Sequence, residues 1–326
     1  MGTAETPGNS GEKPPLVLIA GPTASGKSDL AVELALELRD FERDAVVINA
    51  DSAQVYADLQ VLSARPTEAE MRGIEHRLFG TWDGATACST ADWARAAEAE
   101  IVAAHERGAT PILVGGTGLY IRTLLDGISP IPAIDPSIRA EVRALKTPAA
   151  YTALRAEDPE RANILAPADS QRIARALEVV RSTGRTMAHW QAVTEKGIAD
   201  AVTIHPIVLM PDRELLYERC DRRFARMLDT GAVAEVGRLL ERELETDLPV
   251  MRAIGVREIV GELTGEWERE ETIKRGAQAT RNYAKRQFTW LRRQLPETWL
   301  RVDPMTIGTY KALEGLTTQL YDSKWA

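Results

Sequence analysis

Cysteine and histidine are scarce in this chain. Its 326 residues include two cysteines, Cys88 and Cys220, and four histidines. Two thiols cannot build a disulfide framework, and none of the histidines stands at metal-ligand spacing, so a stapled secreted domain and a zinc site are both unexpected. A reducing, cytoplasmic setting fits best. Long apolar runs are missing too: stretches such as Leu16 to Ala20 and Ala45 to Ile48 fall far short of the roughly 18 residues a membrane helix needs. No unit of about 20 to 50 residues repeats, which removes solenoids and propellers. Residues 1–15 hold Gly, Pro and polar residues without an apolar core, and read as a disordered lead-in rather than a signal peptide.

What is present is a globular composition, 44% hydrophobic and 27% charged, on a chain long enough for two domains or for one domain with a large insertion. The net charge of -8 speaks against a surface that binds polyanions everywhere, so local basic patches must decide that question.

Along the chain, short buried-type strands alternate with helical stretches. Leu16 to Ala20 runs into a glycine loop and then a Leu- and Ala-rich helix from Lys27; Ala45 to Ala50 is a second strand. A helix over Thr90 to Glu106 follows a Ser89 cap and hands over to strand Pro111 to Val114. This alternation predicts an α/β fold, a doubly wound parallel sheet whose ligands sit at the carboxyl ends of the strands. From residue 131 to 202 the pattern is helical, rich in Ala, Arg and Glu, and reads as an inserted helical domain. Thr203 to Met210 looks like a return to the parent sheet, a helix follows from Arg213 to Leu228, and Trp299 to Val302 is a candidate last strand. The core is therefore expected over 16–130 and 203–315, with 316–326 as a tail.

Gly21-Pro22-Thr23-Ala24-Ser25-Gly26-Lys27-Ser28 matches the P-loop pattern. Its glycines let backbone N–H groups turn inward, the helix starting near Lys27 adds its positive end, Lys27 supplies a charge, and the Ser28 hydroxyl can ligate Mg²⁺. Most P-loop proteins that hold a nucleoside triphosphate carry a further acid after an apolar strand. Here Ile112 to Val114 ends in Gly115-Gly116, and the acid that follows an apolar strand is Asp51. By residue type Asp51 is a turn former or helix cap, a metal ligand, or a general base.

Further segments run in one order with the P-loop: Asp51-Ser-Ala-Gln-Val-Tyr56, Val114-Gly-Gly-Thr117, Asp169-Ser-Gln-Arg172 leading into Arg175-Ala-Leu-Glu178, Arg252-Ala-Ile-Gly-Val-Arg257, and Thr280-Arg-Asn-Tyr-Ala-Lys-Arg-Gln287. Together, from residue 16 to about 300, the chain resembles the bacterial tRNA dimethylallyltransferases, also called tRNA isopentenyltransferases. The resemblance implies that the P-loop NTPase-like core holds dimethylallyl diphosphate rather than ATP. It also implies transfer of the five-carbon group to N6 of the adenosine 3′-adjacent to the anticodon, in tRNAs reading codons that start with U. In that reading Asp51 is the base, Thr23 lies near the oxygen joining the prenyl group to diphosphate, and Arg223 stabilises the departing charge. The implied tRNA contacts are Asp51, Ser52, Ala53, Gln54, Thr117, Arg139, Gln171, Arg172, Arg175, Arg252 and Arg257. The inserted domain becomes a tRNA-binding domain, Mg²⁺ the cofactor, and a monomer the expected state.

These residues also have plainer readings. Thr117 can cap a following helix, and Arg172 with Arg175 can form a solvated stripe. The segment Thr272 to Arg293 carries seven Lys or Arg and no acid, which makes Arg281, Lys285 and Arg286 candidate phosphate contacts. Among its aromatics, Tyr283, Phe288 and Trp290, the last two read as core. Where relatives commonly have Gly-Thr-Ala-Lys-Pro this chain has Leu62-Ser-Ala-Arg-Pro66; Arg does not replace Lys at a geometric site, so no role is carried over to Arg65. The rival readings are an adenylate isopentenyltransferase, a small-molecule P-loop kinase, and a non-catalytic RNA-binding scaffold.

Overall fold

The computed structural model describes residues 13–304 and 307–322. Twelve residues of the expected lead-in lie outside that range. The other three are tied to the sheet: Pro15 opens its first strand, the Thr203 N–H donates to the Pro14 carbonyl at 2.8 Å and the Thr203 hydroxyl to the Lys13 carbonyl at 3.1 Å.

The first half of the chain forms β1 (Pro15–Ala20), α1 (Lys27–Asp40), β2 (Ala45–Ala50), α2 (Glu68–Met71), β3 (Glu75–Arg77), α3 (Thr90–Glu106), β4 (Thr110–Gly115) and α4 (Gly118–Asp126). β1 is buried at every position, as expected of a parallel strand covered on both faces. α3 starts where Ser89 Oγ accepts the Asp92 N–H, and it buries Trp93, Ala97, Ile101 and Ala104 along one stripe. β3 was not expected, because Glu-His-Arg is polar throughout; it is an edge strand paired only with β2, where one face needs no apolar cover.

Residues Leu125–Gly197 form a separate compact unit. It holds α5 (Pro136–Ala144), α6 (Thr147–Glu157), α7 (Pro159–Ile164), α8 (Ser170–Thr183) and α9 (Met187–Gln191). Asp135, Asp158 and Asp169 cap three of these helices, and Val142, Leu154, Ile173 and Leu177 give the unit its own core. Its limits differ from the expected 131–202. A bridge between Ile128 and Glu195 closes its base, and the short helical turn at 198–200 already leads into the sheet.

The chain then forms β5 (Thr203–Leu209), α10 (Arg213–Asp229), α11 (Ala232–Leu240), α12 (Val256–Leu263), α13 (Arg269–Gln294), β6 (Leu300–Val302) and α14 (Ile307–Asp322). The sheet is parallel throughout, in the order β3-β2-β4-β1-β5-β6. The expected tail, 316–326, is corrected through Asp322: it is the second half of α14, whose Leu313, Leu316 and Leu320 pack with Leu34 and Leu38 of α1 in the main core. β1 lies between β4 and β5, the point at which the winding reverses, so the loop after β1 opens into the crevice where such sheets bind ligands.

Candidate active site

The P-loop occupies that crevice. Gly26 stands at φ +86°, and the non-glycine Ala24 also has a positive φ of 63°, a conformation that persists only where the surroundings over-determine it. The Gly21 N–H donates to the Gly115 carbonyl at 3.2 Å and the Ser25 N–H to the Pro22 carbonyl at 3.3 Å, which curls the loop. Ser25 Oγ is buried without a hydrogen-bond partner among the described residues. The loop walls a cavity of about 690 Å³ shared with Ser28. Across it, α10 presents Arg219, Arg222, Arg223 and Arg226. Sequence reasoning identified only Arg223 of these four, although their i, i+3, i+4, i+7 spacing marks one helix face. Burial lowers the Lys27 ammonium from its ordinary value, Asp51 opposes that shift, and Arg223 adds to it. Arg223 is likewise lowered by burial, with Cys220 and then Asp51 opposing. Two desolvated cations beside inward-turned amides favour a polyanion.

A second cavity of about 300 Å³ shares Thr23, Asp51, Ser63 and Arg223 with the first. Its apolar walls include Leu62, Tyr120, Phe224, Met227 and Ile254. Tyr120 stacks on Trp93 at 4.2 Å between ring centroids, and Trp93 Nε1 donates to the Asn49 carbonyl of β2 at 2.9 Å, so this wall is anchored to the sheet. Burial pushes the Cys88 thiol up to about 11, leaving it a neutral part of the lining. Asp51 is buried and its Oδ1 accepts the Ala53 N–H at 3.0 Å. It therefore does form a turn, but it also lines both cavities. Thr117 is no simple helix cap: its Oγ1 accepts the Ser52 N–H at 3.0 Å and donates to Ser52 Oγ at 3.3 Å. Burial and the Asp51 charge hold the proton on the nearby Tyr283 hydroxyl.

The segment from Ser52 to Pro66 is held by contacts that sequence reasoning did not find. Gln54 Nε2 donates to the Ser63 and Ala64 carbonyls at 3.1 and 2.7 Å. The Arg65 guanidinium donates to the Tyr56 carbonyl at 3.2 Å, so it braces its own loop. Glu235 of α11, buried, accepts the N–H groups of Gln60, Val61 and Leu62 at 2.6, 3.0 and 2.9 Å. A lone Glu on an amphipathic helix gives no sequence signal for this. Removing an acceptor shared by three backbone donors leaves each unsatisfied, at about 1–3 kcal/mol apiece if they stay dry. Glu235→Ala should therefore lower unfolding free energy by at least about 2 kcal/mol in urea titration, with Glu235→Gln recovering part of the loss.

The remaining candidates divide by their partners. Lys285, Arg286, Arg292 and Arg293 are exposed on α13 and pair with no acid among the described residues. Arg286 also lies over the Tyr283 ring, 5.6 Å from its centroid. Arg281 instead makes a two-oxygen ion pair with Asp221, which spends its charge within the protein. Phe288 packs with Leu216, Cys220 and Ala284, and Trp290 fills the space above Gly118, as their core reading expected. Arg252 lines the second cavity, whereas Arg257 is exposed on α12. In the helical unit, Gln171 is exposed, Arg172 pairs with Asp169 at 2.7 Å, and Arg175 lies 3.8 Å from buried Glu178, which also holds Arg143 at 3.1 Å. Burial lowers Arg175 from its ordinary value, Glu178 opposes that shift, and Arg139 and Arg143 add to it; two arginines, Arg143 and Arg175, thus share the Glu178 carboxylate, with Arg139 near Arg175.

A P-loop facing an acid-bearing chamber, on a parallel sheet with α10 and α13 across the crevice, defines a P-loop protein built for group transfer rather than a simple phosphate binder. A family model described as IPP transferase matches residues 54–294. A protein of Erythrobacter litoralis named tRNA dimethylallyltransferase is 62% identical over 312 residues, covering 96% of this chain and 98% of that protein. One of the same name from Novosphingobium aromaticivorans is 63% identical over 264 residues, 81% of this chain and 94% of that one. Among solved structures, the full-length tRNA isopentenylpyrophosphate transferase from Bacillus halodurans aligns with a TM-score of 0.67 at 31% identity, covering 94% of this chain and 97% of its own. A eukaryotic dimethylallyltransferase acting on tRNA aligns with a TM-score of 0.78 at 26% identity, covering 94% and 77%. The chain belongs to the IPP transferase family. No helix among its described residues is long and apolar enough to cross a membrane.

Proposed function

We propose that this enzyme transfers the dimethylallyl group from dimethylallyl diphosphate to N6 of the adenosine 3′-adjacent to the anticodon of tRNA, with release of diphosphate. The observation that carries the reading is the sharing of Thr23, Asp51, Ser63 and Arg223 by the two cavities. A phosphate chamber and a second chamber with an apolar wall, meeting at a carboxylate, suit a donor with a charged leaving group and an uncharged five-carbon group. The C–O bond to diphosphate breaks as the N6–C bond forms, and Asp51 takes the N6 proton. Charge building on the departing oxygen meets Thr23, Arg223 and Lys27. Ser28 would hold Mg²⁺ together with diphosphate oxygens and water. The Ser28 hydroxyl beside the loop amides, with Asp51 lining the same cavity, offers hard oxygen donors of the kind Mg²⁺ takes. The ion would supply further neutralisation of the leaving group.

We read the enzyme as a cytoplasmic monomer, a reading supported by its proposed tRNA substrate and by lining residues for both cavities within one chain. The exposed cations Lys285 and Arg286, with the Arg139, Arg143 and Arg175 group of the helical unit, would meet tRNA phosphates. Lys285→Ala and Arg286→Ala should each weaken tRNA binding and flatten its salt dependence, by roughly 0.7 to 0.9 log units of slope for each phosphate no longer neutralised. Arg281→Ala should leave that slope unchanged, because Asp221 already neutralises Arg281.

The test of function is incubation with Mg²⁺, labelled dimethylallyl diphosphate and unmodified tRNA, with AMP offered in a parallel reaction, followed by nucleoside mass analysis. Isopentenyladenosine in the tRNA digest is the expected result. Labelled AMP without labelled tRNA would mean a nucleotide prenyltransferase.

A further inference from the structure

Gln287 is the last residue of the Thr280 to Gln287 segment, and neither the phosphate chemistry nor the tRNA contacts account for it. It lies on α13, four residues and one helical turn beyond Tyr283, so both side chains point to the same side. The side chain is buried, at 5% exposure. Its Oε1 accepts the Thr23 N–H at 2.7 Å and its Nε2 donates to the Gly116 carbonyl at 3.0 Å. There is no slack around it, since a Cβ on Gly116 would come within 2.4 Å of Nε2. Thr23 is a P-loop residue whose N–H would otherwise be free for phosphate, and its hydroxyl accepts from Arg223. Gly116 precedes Thr117, whose hydroxyl holds the Ser52 N–H next to Asp51. One primary amide thus grips the donor side and the acceptor side of the reaction centre at once, from the helix whose outer face carries Lys285 and Arg286.

We propose that Gln287 is a positioning residue that sets the distance between the leaving-group oxygen at Thr23 and the base Asp51, acting through the Thr23 and Gly116 peptides and not on substrate. Its amide is suited to this because it needs both an acceptor and a donor, planar and opposed. Rates fall by roughly 10²-fold for reacting groups displaced by about 1 Å, which sets the size of effect to look for.

The inference rests on the transfer reading above, and two measurements keep them apart. In the transfer assay with saturating tRNA, Gln287→Met, similar in shape but unable to make either hydrogen bond, should lower kcat by roughly 10²-fold while the Kd for tRNA stays within about threefold of wild type. Gln287→Glu separates positioning from packing. Protonated, a carboxyl can accept from the Thr23 N–H and donate to the Gly116 carbonyl; ionised, it cannot donate and repels that carbonyl. Burial raises the pKa of such a carboxyl, so the ratio of Gln287→Glu to wild-type kcat should climb as pH is lowered from 8.5 to 6, by about tenfold or more, whereas the Gln287→Met ratio stays flat. Taking ratios cancels any pH dependence that the variant and the wild type share. Independently of any transfer, calorimetry with inorganic diphosphate and Mg²⁺ should show roughly tenfold weaker binding to Gln287→Met, because the Thr23 peptide shapes the P-loop. Diphosphate affinity unchanged in Gln287→Met, or a flat Gln287→Glu ratio, overturns the proposal; absence of transfer by the wild type overturns the function and leaves the diphosphate measurement to decide on Gln287.

Discussion

Asp51→Asn is expected to lower kcat by at least about 10²-fold with tRNA affinity nearly intact. Asparagine keeps an acceptor oxygen for the Ala53 N–H that Asp51 Oδ1 now accepts at 3.0 Å, so the turn after β2 survives and only the capacity to take a proton is lost. Asp51 is buried among Lys27, Arg223 and the Tyr283 hydroxyl, and it lines both cavities, which is where a base for the acceptor amine belongs. Single-turnover rates and a tRNA binding isotherm, measured on the same preparation, give the two numbers required. A variant that lost binding and rate in equal measure would show Asp51 to be an anchor for tRNA instead of a base.

Arg223→Ala is the second large effect, also about 10²-fold or more in kcat, because a donor aimed at developing charge in a dry site acts mainly on the transition state. The guanidinium donates to Thr23 Oγ1, and the helix that carries it holds it in both cavities through the burial of Leu216, Cys220 and Phe224 on its inner face. Arg223→Lys keeps the charge without the planar fork, so it should recover only part of the loss. Arg222 on the outer turn has just a long contact of 4.0 Å with Glu218, and removing it should alter the KM for the donor more than kcat. If Arg223→Ala changed KM alone, the residue would steer the donor in and play no part in its cleavage.

How far the site can be read from the chain depends on where its chemistry lies in sequence. The P-loop is contiguous, its conformation is set by local glycines and the start of α1, and the residues from Gly21 to Ser28 can be given their tasks from the sequence. The β1, β2, β4 and β5 strands each contain an unbroken apolar run, Leu16 to Ala20, Ala45 to Ile48, Pro111 to Val114 and Ile207 to Leu209, and are legible for the same reason. β3 is not, because an edge strand of polar residues has neither an alternating nor a continuous apolar pattern. The second half of α14 reads as a tail because a single amphipathic helix at the end of a chain looks the same whether or not a core awaits it; Leu313, Leu316 and Leu320 acquire meaning only against α1.

Fold class, the phosphate loop, the acid after β2 and the basic stretch of α13 were therefore determined by sequence alone, since each depends on neighbours within a turn or a strand. Tertiary structure alone decided which of those groups meet. It paired Arg281 with Asp221 and left Lys285 and Arg286 facing water. It also turned Glu235 onto the N–H groups at 60–62, and spanned 264 positions to set Gln287 on Thr23. Those contacts are fixed by the packing of α10, α11 and α13 against the sheet, and the orientation of a buried polar side chain follows from whichever donors and acceptors that packing leaves unsatisfied.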